Sequence, residues 1–149
     1  MPVQSERDSS NVPFILSGIS FVSEAETLLQ DAGRATPLVY GTLMAKVAAS
    51  QKWVPFIDET ETDGAAIPQG IYLGADITAA ELVAGDVVDR PILEGGSLTI
   101  DVQQLVIENS KLLTTVITVG TTDLRTVRDH LMAKGIFTET TVDITEFEN

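Results

Sequence analysis

The chain contains no cysteine. That excludes disulfide staples, thiol nucleophiles and iron–sulfur ligation, and it leaves the redox compartment open. Basic residues are few: 9 Lys and Arg stand against 22 Asp and Glu, for a formal net charge of −13. Such a surface repels phosphate backbones, and no Lys/Arg cluster is present to overcome the repulsion, so nucleic acid is not an expected partner. The simplest use of the acidity is solubility. Aromatic residues make up 5% of the chain, with a single Trp and a single His. Long hydrophobic runs are also missing. VPFILSGISFV is interrupted by polar residues and falls short of the ~20 residues that span a bilayer. MPVQSERDSSNVPF has no basic n-region and no long apolar core, so it does not read as a secretory signal. A soluble protein without a membrane partner is expected.

What is present suits one domain. A chain of 149 residues can bury a sizeable core without metal or disulfide help. Residues 1–12 are polar and aperiodic and read as a flexible arm. Phe14, Ile15, Leu16, Ile19, Phe21 and Val22 follow as an apolar segment able to pair as a strand. Ser23-Glu24-Ala25-Glu26 has the form of a capping box and predicts a short helix ending near Gly33. TPLVYG, KWVPFI and QGIYLGADI have strand length and lie between Gly, Pro or acidic residues. Thr78-Ala79-Ala80-Glu81 is a second capping box, closed within about two turns by Gly85-Asp86. In RPILEGGSLTIDV, Gly95-Gly96 predicts a turn. Leu98, Ile100 and Val102 then alternate with Thr99 and Asp101 on a half-buried strand. LLTTVITV (112–119) is β-branched and strand-like. The clearest helix is DLRTVRDHLMAK (123–134), capped by Thr122, with Asp123 at its positive end and Leu124, Val127 and Leu131 facing the core. Val142 and Ile144 read as a last strand.

Few residues invite chemistry. Glu59, Glu61, Asp63 and Gly64 match the first half of a calcium loop, but Gly70 stands where the closing bidentate carboxylate belongs, and strands flank the loop where helices are needed. Asp63-Gly64 reads instead as a turn between strands. His130 has Asp129 beside it, yet adjacent residues on a helix do not share a face. No G-x-S-x-G elbow and no phosphate-binding glycine motif occurs. Trp53 and Tyr72 read as packing residues, because no basic groove accompanies them. No catalytic residue, metal site or cofactor is expected.

Several segments, taken in order, resemble the head decoration proteins of lambda-like tailed bacteriophages. They are Thr36-Pro37-Leu38-Val39; Lys52-Trp53-Val54-Pro55; Thr62-Asp63-Gly64-Ala65-Ala66; Gly70-Ile71-Tyr72-Leu73; Ala84-Gly85-Asp86; Arg90 to Leu98; and Leu124 to Ile136. The series covers about residues 36–145, and its order carries more weight than any one motif. Two tracts, 13–35 and 103–121, depart from the shorter members of that family.

The resemblance implies an α+β, β-rich single domain of short strands and turns with about two helices, the lambda-type decoration fold. A flexible capsid-binding arm over 1–16 would precede a decoration domain over 17–149. It also implies a homotrimer at three-fold and quasi-three-fold sites of the expanded head, bound to the major capsid protein and stabilising the capsid against internal DNA pressure. The expected location is the outer surface of the virion, after synthesis in the host cytoplasm. Val12, Pro13, Phe14, Ile15 and Leu16 would form the added strand on the capsid. Two other classes compete: a tail or receptor module reading a glycan, and a small hydrolase with two carboxylates roughly 5–9.5 Å apart across a cleft.

Overall fold

The structure, a computed structural model, describes residues 14–118 and 124–140. The elements run β1 (Ile15–Leu28), β2 (Leu43–Lys46), β3 (Trp53–Pro55), β4 (Pro68–Tyr72), α1 (Ala79–Ala84), β5 (Val87–Asp101), α2 (Val127–Ala133) and β6 (Ile136–Glu139). This is an α+β, strand-rich arrangement with two short helices.

Hydrogen-bonded neighbours follow the order β1-β3-β2-β4-β5, and β1 pairs again with β5, so five strands close into a small barrel with β6 added outside the ring. The two long strands carry most of the closure, antiparallel from Ile15↔Ile100 to Leu28↔Val87. On the other side the seam is narrow. Leu28 pairs with Trp53, and the Leu29 N–H donates to the Trp53 carbonyl at 2.9 Å. Pro55, further along β3, has no N–H to offer a neighbouring strand, which blunts that edge.

Side chains alternate across each strand, and here the alternate positions feed two cores. Met44, Trp53, Tyr72 and Ile92 gather with Leu28, Leu38, Ile77 and Leu82. Leu43, Ala45, Ile71 and Leu93 join Phe14, Phe56, Leu98, Ile100 and the α2 residues Val127 and Leu131. A strand buried on both faces reads as an unbroken apolar run, which is why LMA and PIL show no period of two.

Several expectations change. Ser23 to Leu28 form strand, not helix: Ser23, Glu24, Ala25, Glu26 and Leu28 all pair with β5 between Leu93 and Val87. A capping box is worth about 1 kcal/mol, less than a ladder that also buries Leu28. Gly95-Gly96 makes no hairpin; both glycines lie within β5 at φ of 152° and 136°. Their role is close approach. The Gly96 N–H donates to the Lys134 carbonyl at 3.0 Å, and a Cβ on Gly95 would sit 2.8 Å from that same oxygen.

TPLVYG gives only a bridge, Leu38↔Ile77, and among the described residues of LLTTVITV only Val116 bridges, to Thr126. The late helix starts at Val127 under a capping box of Thr126 and Asp129. Val127 and Leu131 are buried as expected, whereas Leu124 is 64% exposed with φ of 51°. Thr122, Asp123, Val142 and Ile144 lie outside the described residues. The second capping box forms as read, with Thr78 and Glu81 bonding reciprocally at the start of α1.

Candidate functional site

The expected boundary of the N-terminal arm at residue 16 falls inside the folded body. Phe14 is 4% exposed, its ring stands edge-on to Tyr40 at 5.6 Å, and its carbonyl accepts from the Asp101 N–H at 2.8 Å. Ile15 pairs with Ile100 and packs against the core, and Leu16 continues β1. An apolar trio beside a strand-forming partner gains more by joining the barrel than by staying solvated. Val12 and Pro13 lie outside the described residues. Between Ile15 and Ala25, β1 pairs only with β5 among the described residues, so its other edge is open.

The acidic loop that opens like a calcium site distributes its carboxylates separately. Asp58 accepts from the Thr60 N–H and hydroxyl at 2.8 and 2.7 Å, Glu59 pairs with Lys111 at 2.7 Å, and Asp63 accepts from the Ala65 N–H at 3.0 Å. The Thr60 bonds hold the Asp58 carboxyl below its ordinary value, and the Lys111 bond does the same for Glu59. Gly64 takes φ of 103°, and a Cβ there would meet the Lys46 carbonyl at 2.8 Å. The turn is therefore real, but it does not close a hairpin, because β2 lies between β3 and β4.

Trp53 and Tyr72 are core residues, 1% and 0% exposed. The Lys46 ammonium lies 4.9 Å from the centre of the Trp53 ring, and the Tyr72 hydroxyl donates to the Ala75 carbonyl at 2.5 Å. His130 is half-buried; burial first, then the Arg125 charge, pushes its imidazole below the usual range. Asp129 is occupied with the Thr126 N–H at 2.9 Å, as a cap rather than as a histidine partner.

Two polar constellations escaped sequence reading. Arg34 reaches across the molecule to Glu108 with two parallel bonds of 2.6 and 2.5 Å, and also donates to the Thr36 and Pro37 carbonyls. Its side chain is 6% exposed, and the Glu108 bond raises its pKa further. The second is a carboxylate trio, Glu24, Glu26 and Glu94, with oxygens all within 4.8 Å of one another. Glu94 stands where the register slips between Val22↔Gly95 and Ser23↔Leu93, so it has no partner residue on β1. Had 23–28 been read as strand, the i, i+2 spacing would have put Glu24 and Glu26 on one face.

A cleft of about 230 Å³ opens beside the β1–β3 seam. Leu29, Val54, Pro55 and Ile57 give it apolar walls, and Gln30, Asp31 and Glu61 bring polar groups to it. Among the described residues its lining holds neither serine nor histidine, and Arg34, which also lines it, is committed to Glu108. Among the described residues, no helix is long and apolar enough to cross a membrane. The sequence matches no protein-family model and no curated protein at a significant level.

Proposed function

We propose that the chain is a structural capsid decoration protein of a tailed phage, not an enzyme. It binds as a homotrimer at three-fold and quasi-three-fold sites of the expanded head, contacts the major capsid protein, and stiffens the shell against internal DNA pressure. It works on the outer surface of the virion, uses no cofactor and binds neither nucleic acid nor membrane. The ordered series of segments similar to lambda-like decoration proteins motivates this reading.

The single structural observation that carries it is the anchoring of Phe14. A buried ring and a backbone bond to Asp101 fix the point where residues 1–13 join the barrel. That join lies next to a β1 edge that is open among the described residues. A polar segment tethered at a fixed point is suited to ordering on a partner surface by strand addition. The binding segment is accordingly assigned upstream of Phe14, and Ile15 and Leu16 serve the fold.

Sedimentation of the purified chain with expanded phage heads, alongside its mass in solution, tests the reading. Binding in multiples of three per site is expected. Removal of residues 1–12 should abolish co-sedimentation while leaving the circular dichroism spectrum and the number of chains per particle unchanged. A truncated chain that still binds would sink the arm assignment. A full-length chain that never binds heads, or that captures a surface glycan instead, would sink decoration itself.

A further inference from the structure

Glu94, Glu26 and Glu24 meet where β1 and β5 are out of step, and one atom there is unexplained. The Glu94 Oε2 is enclosed and has no hydrogen-bond partner. A buried carboxylate oxygen without a donor is costly, and the groups facing it from β1 are two more carboxylates within 4.8 Å. Ionised carboxylates only accept, so three of them cannot satisfy one another. A single added proton turns one pair into a donor and an acceptor able to form a strong charge-assisted bond.

The cations around the trio do not remove this need. Lys46, on β2, stands over Trp53, and its pull on Glu94 is the weakest of the influences there. Arg90, opposite Glu26 on β5, bears on the Tyr72 hydroxyl, and its own buried Nε has no hydrogen-bond partner. Neither forms an ion pair with the trio among the described residues. We propose that Glu94 and Glu26 share one proton across the β1–β5 bulge, and that its loss loosens this seam, so the barrel carries a clasp released by rising pH. In support, burial first, then the closeness of Glu26 and the Glu26 and Glu24 charges, push the Glu94 carboxyl from 4.5 up to about 7.

The sign follows from linkage. The folded chain holds a proton that the unfolded chain releases near pH 4.5, so the stabilisation is complete below that value and is lost as pH rises through about 7. Across that window the unfolding constant rises by up to about tenfold per pH unit, the limit for one proton. His130 acts in the opposite sense, because its lowered pKa makes the folded state the weaker proton binder near neutrality. The informative quantity is therefore the difference between the wild-type chain and Glu94→Gln. The amide supplies a permanent donor to Glu26 and leaves His130 untouched.

Urea unfolding of both full-length chains from about pH 5.5 to about pH 8.5 is paired with a carboxyl ¹³C titration of the wild-type chain. The expected result is a Glu94 midpoint near 7 and a wild-type denaturation midpoint that falls relative to Glu94→Gln as pH rises. Amide exchange at residues 23–28, corrected for its intrinsic pH dependence, should accelerate with the same midpoint. A Glu94 carboxyl titrating in the ordinary glutamate range would overturn the proposal, as would denaturation midpoints that move in parallel. If Glu94→Gln fails to fold, the carboxyl titration and the exchange profile of the wild-type chain decide alone.

Discussion

At the scale of single residues, the most constrained position is Gly135. It ends α2 at φ of 82°, and a Cβ there would overlap the Gly96 carbonyl oxygen. Gly135→Ala therefore adds left-handed strain to a backbone clash. It is expected to cost at least about 2 kcal/mol in urea unfolding; a loss under about 0.5 kcal/mol would show that the α2–β5 approach relaxes freely. Arg34 and Glu108 make the second constraint. Glu108→Ala leaves a mostly buried guanidinium with only the Thr36 and Pro37 carbonyls. A loss of about 2–4 kcal/mol is expected, and it should persist in high salt because the pair is shielded from solvent. Nothing in the sequence pairs Arg34 with Glu108. The two lie 74 positions apart, and the long-range pairing of strands alone brings them together. The Gly95-Gly96 dipeptide was visible as special, but its purpose was not, since a turn and a close backbone approach demand the same freedom at φ.

At the scale of elements, two capping-box patterns were legible and one became a helix, while α2 starts under a box of Thr126 and Asp129 in place of the expected Thr122 cap. Thr78 and Thr126 each accept from the residue three positions on, whereas Ser23 lies in a strand opposite Leu93. The difference is context. Residues 79–84 and 127–133 need bury only one or two side chains against the barrel. Residues 23–28 fill the antiparallel slot beside β5, and a ladder of that length overrides a weak local preference. Thermal or urea unfolding separates the two cases. Thr126→Ala should lose about 1 kcal/mol, while Ser23→Ala should stay within about 0.5 kcal/mol of the parent. Equal losses would mean that Ser23 contributes something other than a failed cap. The same reasoning explains why Leu124 was misplaced on the core stripe. With Thr126 as the cap, it stands before the helix rather than in its first turn.

At the scale of the whole molecule, the α+β, strand-rich class was legible in short β-branched runs bounded by Gly and Pro. Barrel closure was not, because it depends on which distant strands pair. The candidate site was legible only as a segment: the polar-to-apolar change near residue 13 was visible, but not the burial of Phe14. Truncation measures that boundary directly. Removal of residues 1–12 is expected to shift the thermal midpoint little. Removal of residues 1–16 deletes a core phenylalanine and the Ile15↔Ile100 pair and should cost about 3–5 kcal/mol. Equal midpoints for the two truncations would mean that Phe14 is dispensable to the fold.

The pairing of β1 with β5 also governs how the chain is made. β1 has its long partner only after Asp101 has been synthesised. Until then its native pairing among the described residues is limited to Leu28 with Trp53. Contacts so distant in sequence delay the productive collision, because the intervening loop must close first. Refolding from urea, followed by Trp53 fluorescence, is accordingly expected on the millisecond-to-second scale of non-local β topologies, not in microseconds. A nascent chain arrested before residue 101 should be cleaved readily by protease within residues 15–28, and one released past that point should resist.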